Sequence, residues 1–246
     1  MRASRIEFRM RLAIIALIVV LGFWAPWIER WGLDRISLLE WSSLELSRLG
    51  LFNFTVATPV VILIATAVAA LGAVLRVWGT AWLGASVVNN SDMTAGTVMA
   101  SGPYRYVRNP LYLGTQLTMT GMSSAMPVSG AAFAILFIAV FQLRLILGEE
   151  AYLTGHLGES YARYRRSVPR LFPRLRSNLP YAQGDPQWMR AILAEIFPIG
   201  VFLILAVLSW RFENQLLTKA FLICFGVSLV ARALMPRKPE AASVAP

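Results

Sequence analysis

The sequence predicts an all-α integral membrane protein with about six transmembrane helices. Hydrophobic residues make up 57% of the 246 and charged residues only 15%, against roughly 45–50% and 25% in soluble domains. Several charge-free apolar stretches approach the length of about 20 residues needed to cross a bilayer. Arginines gather at the ends of those stretches, as they do in loops facing an anionic leaflet.

In chain order, Arg2, Arg5, Arg9 and Arg11 precede an uncharged stretch at 12–28, the first predicted span. No small-residue cleavage site follows it, and Trp24, Trp27 and Trp31 suit an interfacial belt on a retained anchor. Residues 29–51 mix acids and bases without basic excess and are expected outside; residues 52–75 form a second span that ends at Arg76. The Gly-, Ser-, Asn- and Thr-rich residues 77–109 are too polar to span and are expected as a loop or interfacial segment on the cytoplasmic side. Two shorter apolar stretches, 110–126 and 131–147, flank the turn signal PVSG and predict a helical hairpin over 110–147. Residues 148–190 hold seven arginines and four prolines and are expected to start helical and end extended. The stretches 191–210 and 216–235 complete the six, Arg237 and Lys238 mark the return to the cytoplasm, and 239–246 read as a disordered tail. Domain bounds follow: N-terminal helices at 1–76, a core at 77–176, and a linker, C-terminal pair and tail at 177–246.

Composition narrows the chemistry. The net charge of +10 follows from basic loops beside apolar spans, and no nucleic-acid-binding motif accompanies it, so no nucleic-acid partner is expected. Cys224 and His156 are the only cysteine and histidine, which leaves neither a disulfide nor the three or four ligands of a zinc or iron site. No metal is expected. Arg144, inside an apolar helix, is a functional candidate by default, although snorkelling to the interface explains it equally.

The stretch SGPYRYVRNPLYLG at 101–114 carries the chemistry. Proline suits the first helical position and asparagine the cap before it, so Asn109-Pro110 is read as a helix start. Such a start offers free N–H groups and a positive dipole end, to which Arg108 and Arg105 add charge: a mouth suited to an anion. The hairpin brings the end of its second arm, with Glu149 and Glu150, to the same side. An anion site facing two carboxylates suits a zwitterion. Tyr104, Tyr106 and Tyr112 offer an aromatic face, and Tyr161 and Tyr164 lie one helical turn apart.

The pattern GPYRYVRNPLYLG, then EE-x-x-L-x-x-x-x-G-x-x-Y-x-x-Y and VPR, resembles the integral-membrane methyltransferases of the isoprenylcysteine carboxyl methyltransferase and phospholipid methyltransferase group. The resemblance covers about residues 72–174, including a weaker LRVWGTAWLG upstream. It implies S-adenosylmethionine as cofactor. It also implies Tyr104, Arg108, Asn109, Tyr112, Leu113 and Gly114 on one side of that cofactor and Glu149, Glu150 and Leu153 on the other. Arg108 and Glu150 are the expected catalytic pair; Tyr161, Tyr164 and Arg165 are further candidates that helix packing explains nearly as well. Asn109 stands where the group has histidine, so a proton-transfer role there is lost.

Methyl transfer from a sulfonium needs positioning and exclusion of water more than acid–base help. The expected acceptor is a lipophilic or small carboxylate, thiol or amine, an amine losing its proton to Glu149 or water. Membrane lipids are expected partners. The alternative is a membrane NADPH-dependent reductase of the sterol or steroid reductase type, which shares a basic helix start and a G-x-x-Y-x-x-Y tail; the Glu149-Glu150 pair and the R-N-P-L-Y-L-G spacing favour methyl transfer. A lipid-binding scaffold explains the arginines but not the paired glutamates. Lys219 and Lys238 are the only lysines, which points to a GC-rich bacterial source and hence the cytoplasmic membrane, with both termini in the cytoplasm.

Overall fold

The computed structural model describes residues 2–33, 35–84, 100–177, 179, 185–211 and 213–234. Most of the polar stretch after Leu83, part of the 177–184 linker, Arg237, Lys238 and the tail lie outside the described residues. The elements are α1 (Arg5–Arg9), α2 (Arg11–Phe23), α3 (Trp27–Arg30), α4 (Leu38–Arg48), α5 (Phe54–Leu83), a 3-10 turn at Gly102–Arg105, α6 (Pro110–Met122), α7 (Val128–Ser167), α8 (Trp188–Ala194), α9 (Ile196–Leu208) and α10 (Asn214–Leu234). The chain is an all-α integral membrane protein.

Four helical stretches are long and apolar enough to cross a membrane: Arg11–Arg30, Phe54–Leu83, Val128–Ser167 and Gln215–Leu234. Trp188–Ala194 and Ile196–Arg211 form a fifth if that pair, bent by 70°, is one broken span. The expected six therefore becomes four or five among the described residues. The first hairpin arm falls short of a spanning length: α6 has 13 residues, about 20 Å at 1.5 Å per residue, and then tightens into a 3-10 turn at Ser123–Ala125.

Three boundaries also move. Helix α5 runs seven residues beyond Arg76, so the domain bound drawn there falls inside a helix, because Arg76 is paired within the protein. Helix α7 carries the second arm through both glutamates, in line with the helical start expected after 147, and its break falls at Gly158, in the left-handed region at φ 52°, which a residue without Cβ adopts cheaply. The predicted span 191–210 is interrupted at Glu195, the junction of α8 and α9.

Small residues set the packing that positions the site. A Cβ on Gly72 of α5 would stand 2.6 Å from the Thr118 backbone nitrogen of α6, and one on Gly114 would stand 2.6 Å from Cγ of Arg76. Glycine at both points lets α5 and α6 approach closely, as small residues do between membrane helices. The main core joins Ile18 of α2, Ala69 of α5, Met119 and Met122 of α6, Ile138, Phe141 and Leu145 of α7, and Val201 and Leu205 of α9. The N-terminal helix is fixed to α7: Ser4 and Glu7 form a capping box, the Ala3 amide donates to Arg144 O at 3.0 Å, and Arg144 pairs with Glu7 at 2.8 Å. Arg144 thus ties α7 to α1.

Candidate active site

Pro110 occupies the first position of α6 with Asn109 before it, as the dipeptide predicts, but the Asn109 side chain makes no capping bond. Its amide donates instead to Glu150 Oε1 at 3.5 Å and Arg170 O at 3.2 Å. Tertiary acceptors have taken the side chain that local chemistry assigns to the cap. The first turn closes through the Leu113 amide, which donates to Asn109 O at 3.1 Å.

Glu150, 4% exposed, is the hub. Arg108 donates to its Oε1 through Nε at 3.1 Å and lies 3.0 Å from it through Nη2. Arg170 donates to Oε2 through Nη2 at 2.8 Å and to both oxygens through Nε at 3.2 Å. The remaining Arg108 nitrogen donates to Arg165 O at 2.6 Å and Val168 O at 3.1 Å. Arg108 therefore does not stand at the mouth with a free charge, as the sequence reading expected. A buried carboxylate needs compensating cations and donors, and Glu150 draws the guanidinium in. The result is a clamp that ties α6's mouth, α7 and the returning chain 168–170 together, closed by the Arg108 amide donating to Pro169 O at 2.9 Å.

Glu149 points elsewhere: it accepts from the Tyr112 hydroxyl at 2.9 Å. The Tyr104 ring is buried, and its hydroxyl has no hydrogen-bond partner among the described residues. Burial pushes that hydroxyl well above its ordinary pKa, with Glu149 the next cause, so Tyr104 is a protonated donor. An unmet buried hydroxyl costs stability.

The other expected residues divide. Leu153 packs with Leu157 against Tyr161, Tyr164 and Val168, and the Tyr164 hydroxyl donates to Tyr104 O at 2.8 Å. These brace the 3-10 turn behind the site. Arg165 donates to Thr154 at 3.3 Å. Gly114 faces Arg76 and Gly72 of α5, so its small size serves helix packing. Arg108, Asn109 and Glu150 form one cluster, Tyr112 and Glu149 a second; Leu113 joins neither by side chain.

Arg170, Arg76 and Glu195 were not expected. Arg170 is the arginine of the quoted VPR, and that motif was its signal. Glu195, 0% exposed, accepts from Arg76 Nε at 2.5 Å and Nη2 at 2.9 Å and from the Thr80 hydroxyl at 2.6 Å. Arg76 Nη1 also donates to Thr115 Oγ1 at 2.5 Å and Leu111 O at 3.3 Å. A lone acid within an apolar stretch was the sign of this network.

An apolar groove of about 590 Å³ runs beside the network, lined by Ala73, Val77 and Trp78 of α5, Trp188 of α8 and Ile199 and Phe202 of α9. Among the described residues, no group of three or more His, Cys, Asp or Glu side chains is placed to hold a metal.

The sequence pattern of the phospholipid methyltransferase family matches residues 60–160. The chain is 36% identical over 78 residues to a protein-S-isoprenylcysteine O-methyltransferase of Schizosaccharomyces pombe, covering 31% of this chain and 33% of that protein. It is 31% identical over 120 residues to the cobalt-zinc-cadmium resistance protein CzcN of Cupriavidus metallidurans, covering 48% of this chain and 51% of that one. The chain thus spans from a third to about half the length of these curated relatives. No solved structure matches.

Proposed function

We propose, from the match of residues 60–160 to the phospholipid methyltransferase family, that this chain is an integral-membrane, S-adenosylmethionine-dependent methyltransferase acting on a lipophilic or small acceptor. The observation that carries the reading is the meeting of α6's first turn with the Glu149-Glu150 step of α7, inside the matched residues. The donor set fits the cofactor. Glu149 offers a carboxylate to an ammonium, the first turn of α6 offers N–H groups and a positive dipole end to a carboxylate, and the unpartnered Tyr104 hydroxyl offers a further donor.

When bound, the cofactor supplies a sulfonium methyl, an electrophile that needs no further activation. What remains for the chain is positioning and exclusion of water. Arg108, Glu150 and Arg170 hold the returning segment against the mouth and so wall one side of the site. Arg108 and Glu150 thus act through the wall they build, with Asn109 joined to them, while Tyr104, Tyr112 and Glu149 face the cofactor and Leu113, Gly114 and Leu153 support that surface from behind. Tyr112 fixes one oxygen of Glu149, leaving the other for the ligand's amino group or for an amine acceptor's proton. The arginine bias favours a cytoplasmic setting for this face and, with an even number of crossings, for both termini.

Calorimetric titration of the detergent-purified protein with S-adenosylhomocysteine tests the reading, with Arg108→Ala and Glu150→Gln beside the wild type. Saturable binding lost in both variants is expected. Binding of NADPH in place of S-adenosylhomocysteine would move the function to the reductases, and binding of neither would overturn it.

A further inference from the structure

Phe172 and Leu175 are 88% and 98% exposed, the two most exposed large hydrophobic side chains among the described residues. They are not on a loose loop. Pro169 O accepts from the Arg108 amide, Arg170 is paired with Glu150, and the Arg174 amide donates to Tyr106 O at 3.0 Å. The Arg174 side chain donates back to Ser167 O at 2.9 Å. Residues 169–174 are therefore pinned alongside 106–109, immediately before α6 enters the apolar layer at Pro110. The segment thus shares the level of α6's first turn, which the positive-inside reading sets at the membrane surface.

Its charge is of one sign. Residues 161–176 contain six arginines and no acid. Glu150 pairs with Arg170 and Glu159 with Arg166, while Arg174 and Arg176 are exposed next to the two apolar residues in the chain and Arg163 is exposed on the preceding helix. Bulky hydrophobes projecting from a basic, rigidly held segment at interface depth have the chemistry of a bilayer contact: the apolar groups enter the acyl boundary and the arginines meet phosphates. A protein partner would have to be acidic, apolar and seated in the headgroup layer; the bilayer already satisfies all three conditions.

We propose that residues 169–176 form a membrane-surface contact, inserting Phe172 and Leu175 into an anionic leaflet while Arg163, Arg174 and Arg176 bind lipid phosphates. The contact does not depend on the methyltransferase reading. It gives the site a lipid-sensitive wall, because Arg170 on Glu150 belongs to the same segment.

The test uses the full chain with Cys224→Ser, spin-labelled singly at Phe172→Cys, Leu175→Cys and, as an aqueous reference beyond the Gly158 break, Ser160→Cys. In phosphatidylglycerol nanodiscs the accessibility ratio of oxygen to a water-soluble nickel chelate is expected to be about threefold higher at 172 and 175 than at 160, as for acyl-boundary insertion. It should fall towards the reference in phosphatidylcholine nanodiscs and in the Arg174→Gln/Arg176→Gln chain. A ratio equal to the reference in anionic discs overturns the insertion, and a ratio unchanged by lipid charge or by the arginine substitutions overturns the phosphate contacts. Shielding from both reagents that disappears on dilution into empty discs would assign the surface to a second copy instead. Hydrogen exchange of 169–176 in the unlabelled wild type provides an independent readout: slower exchange in anionic than in zwitterionic discs is expected, and equal exchange refutes the contact.

Discussion

Replacing Glu195 by alanine removes the acceptor of three charge-assisted hydrogen bonds, two of them from Arg76, from a position with no solvent exposure. Arg76 keeps Thr115 and Leu111 O as acceptors, but its charge, 13% exposed, is left without a counter-ion. Breaking a buried pair from one side costs about 3–5 kcal/mol. Two hydrogen bonds to a charged group, at about 1.5–3 kcal/mol each, give a similar figure. Glu195→Gln keeps an acceptor for Thr80 and one guanidinium nitrogen, so its expected loss is about 2–3 kcal/mol on the same scale. The discriminating variant is Arg76→Met/Glu195→Met, which buries no charge and should lie within about 1 kcal/mol of wild type. Titration with dodecyl sulfate in mixed micelles, followed by far-ultraviolet circular dichroism, measures all of these. A Glu195→Ala loss below about 1 kcal/mol, or a double variant no more stable than the singles, would refute the pairing as the bond that holds the C-terminal helices.

Three further outcomes follow from named contacts. Gly72→Ala sets a Cβ against α6 backbone that cannot swing away and should cost about 1–3 kcal/mol in the same titration, whereas Gly155→Ala, with nothing within 4 Å, should be neutral or stabilising by up to about 1 kcal/mol. Tyr104→Phe removes a buried hydroxyl without a partner, so stability should hold or rise slightly while S-adenosylhomocysteine binding weakens by about tenfold; a stability loss with unchanged binding would place the hydroxyl outside the ligand site. The Ser4 amide, with Arg144 beside it, holds the Glu7 carboxyl below its ordinary pKa. A depressed folded-state value stabilises above the unfolded value and is lost as pH falls through the folded one, so the melting difference between wild type and Glu7→Gln should be full at pH 6 and close below the ordinary carboxylate range. A difference that widens on acidification would contradict the pairing.

Much of the candidate site's arrangement was legible because its residues carry local signals: a proline at a helix start, adjacent glutamates, tyrosines at helical spacing. What local signals could not show was who satisfies whom. Asn109 has the chemistry of a cap, yet Glu150 and Arg170 O, forty and sixty residues away in sequence, hold its amide. Arg108 was read as a free cation at the mouth because its counter-ion arrives only on folding. The same blindness misplaced the helix ends. A charge marks the end of a span only when water or headgroups solvate it, and Arg76 is solvated by Glu195 within the bundle, so α5 runs on to Leu83. Averaging over 191–210 hid Glu195 among apolar neighbours, although a single buried acid in such a stretch is the more informative residue.

These ion pairs also decide what the smallest working unit is. The matched region 60–160 contains the mouth and both glutamates, yet two of its arginines find their carboxylates outside it: Arg76 in Glu195 near the C-terminal helices, and Arg144 in Glu7 near the N-terminus. Arg170, which completes the clamp on Glu150, also lies beyond residue 160. Cutting the chain to the matched region would leave Glu150 with one guanidinium instead of two, and Arg76 with none of its charge compensated between α5 and α6. Arg76 touches α6 through Thr115 and Leu111 O, flanking Tyr112, whose hydroxyl holds Glu149. A shift of the C-terminal helices therefore reaches the candidate cofactor surface through Arg76, beside the direct packing of α9 on α6.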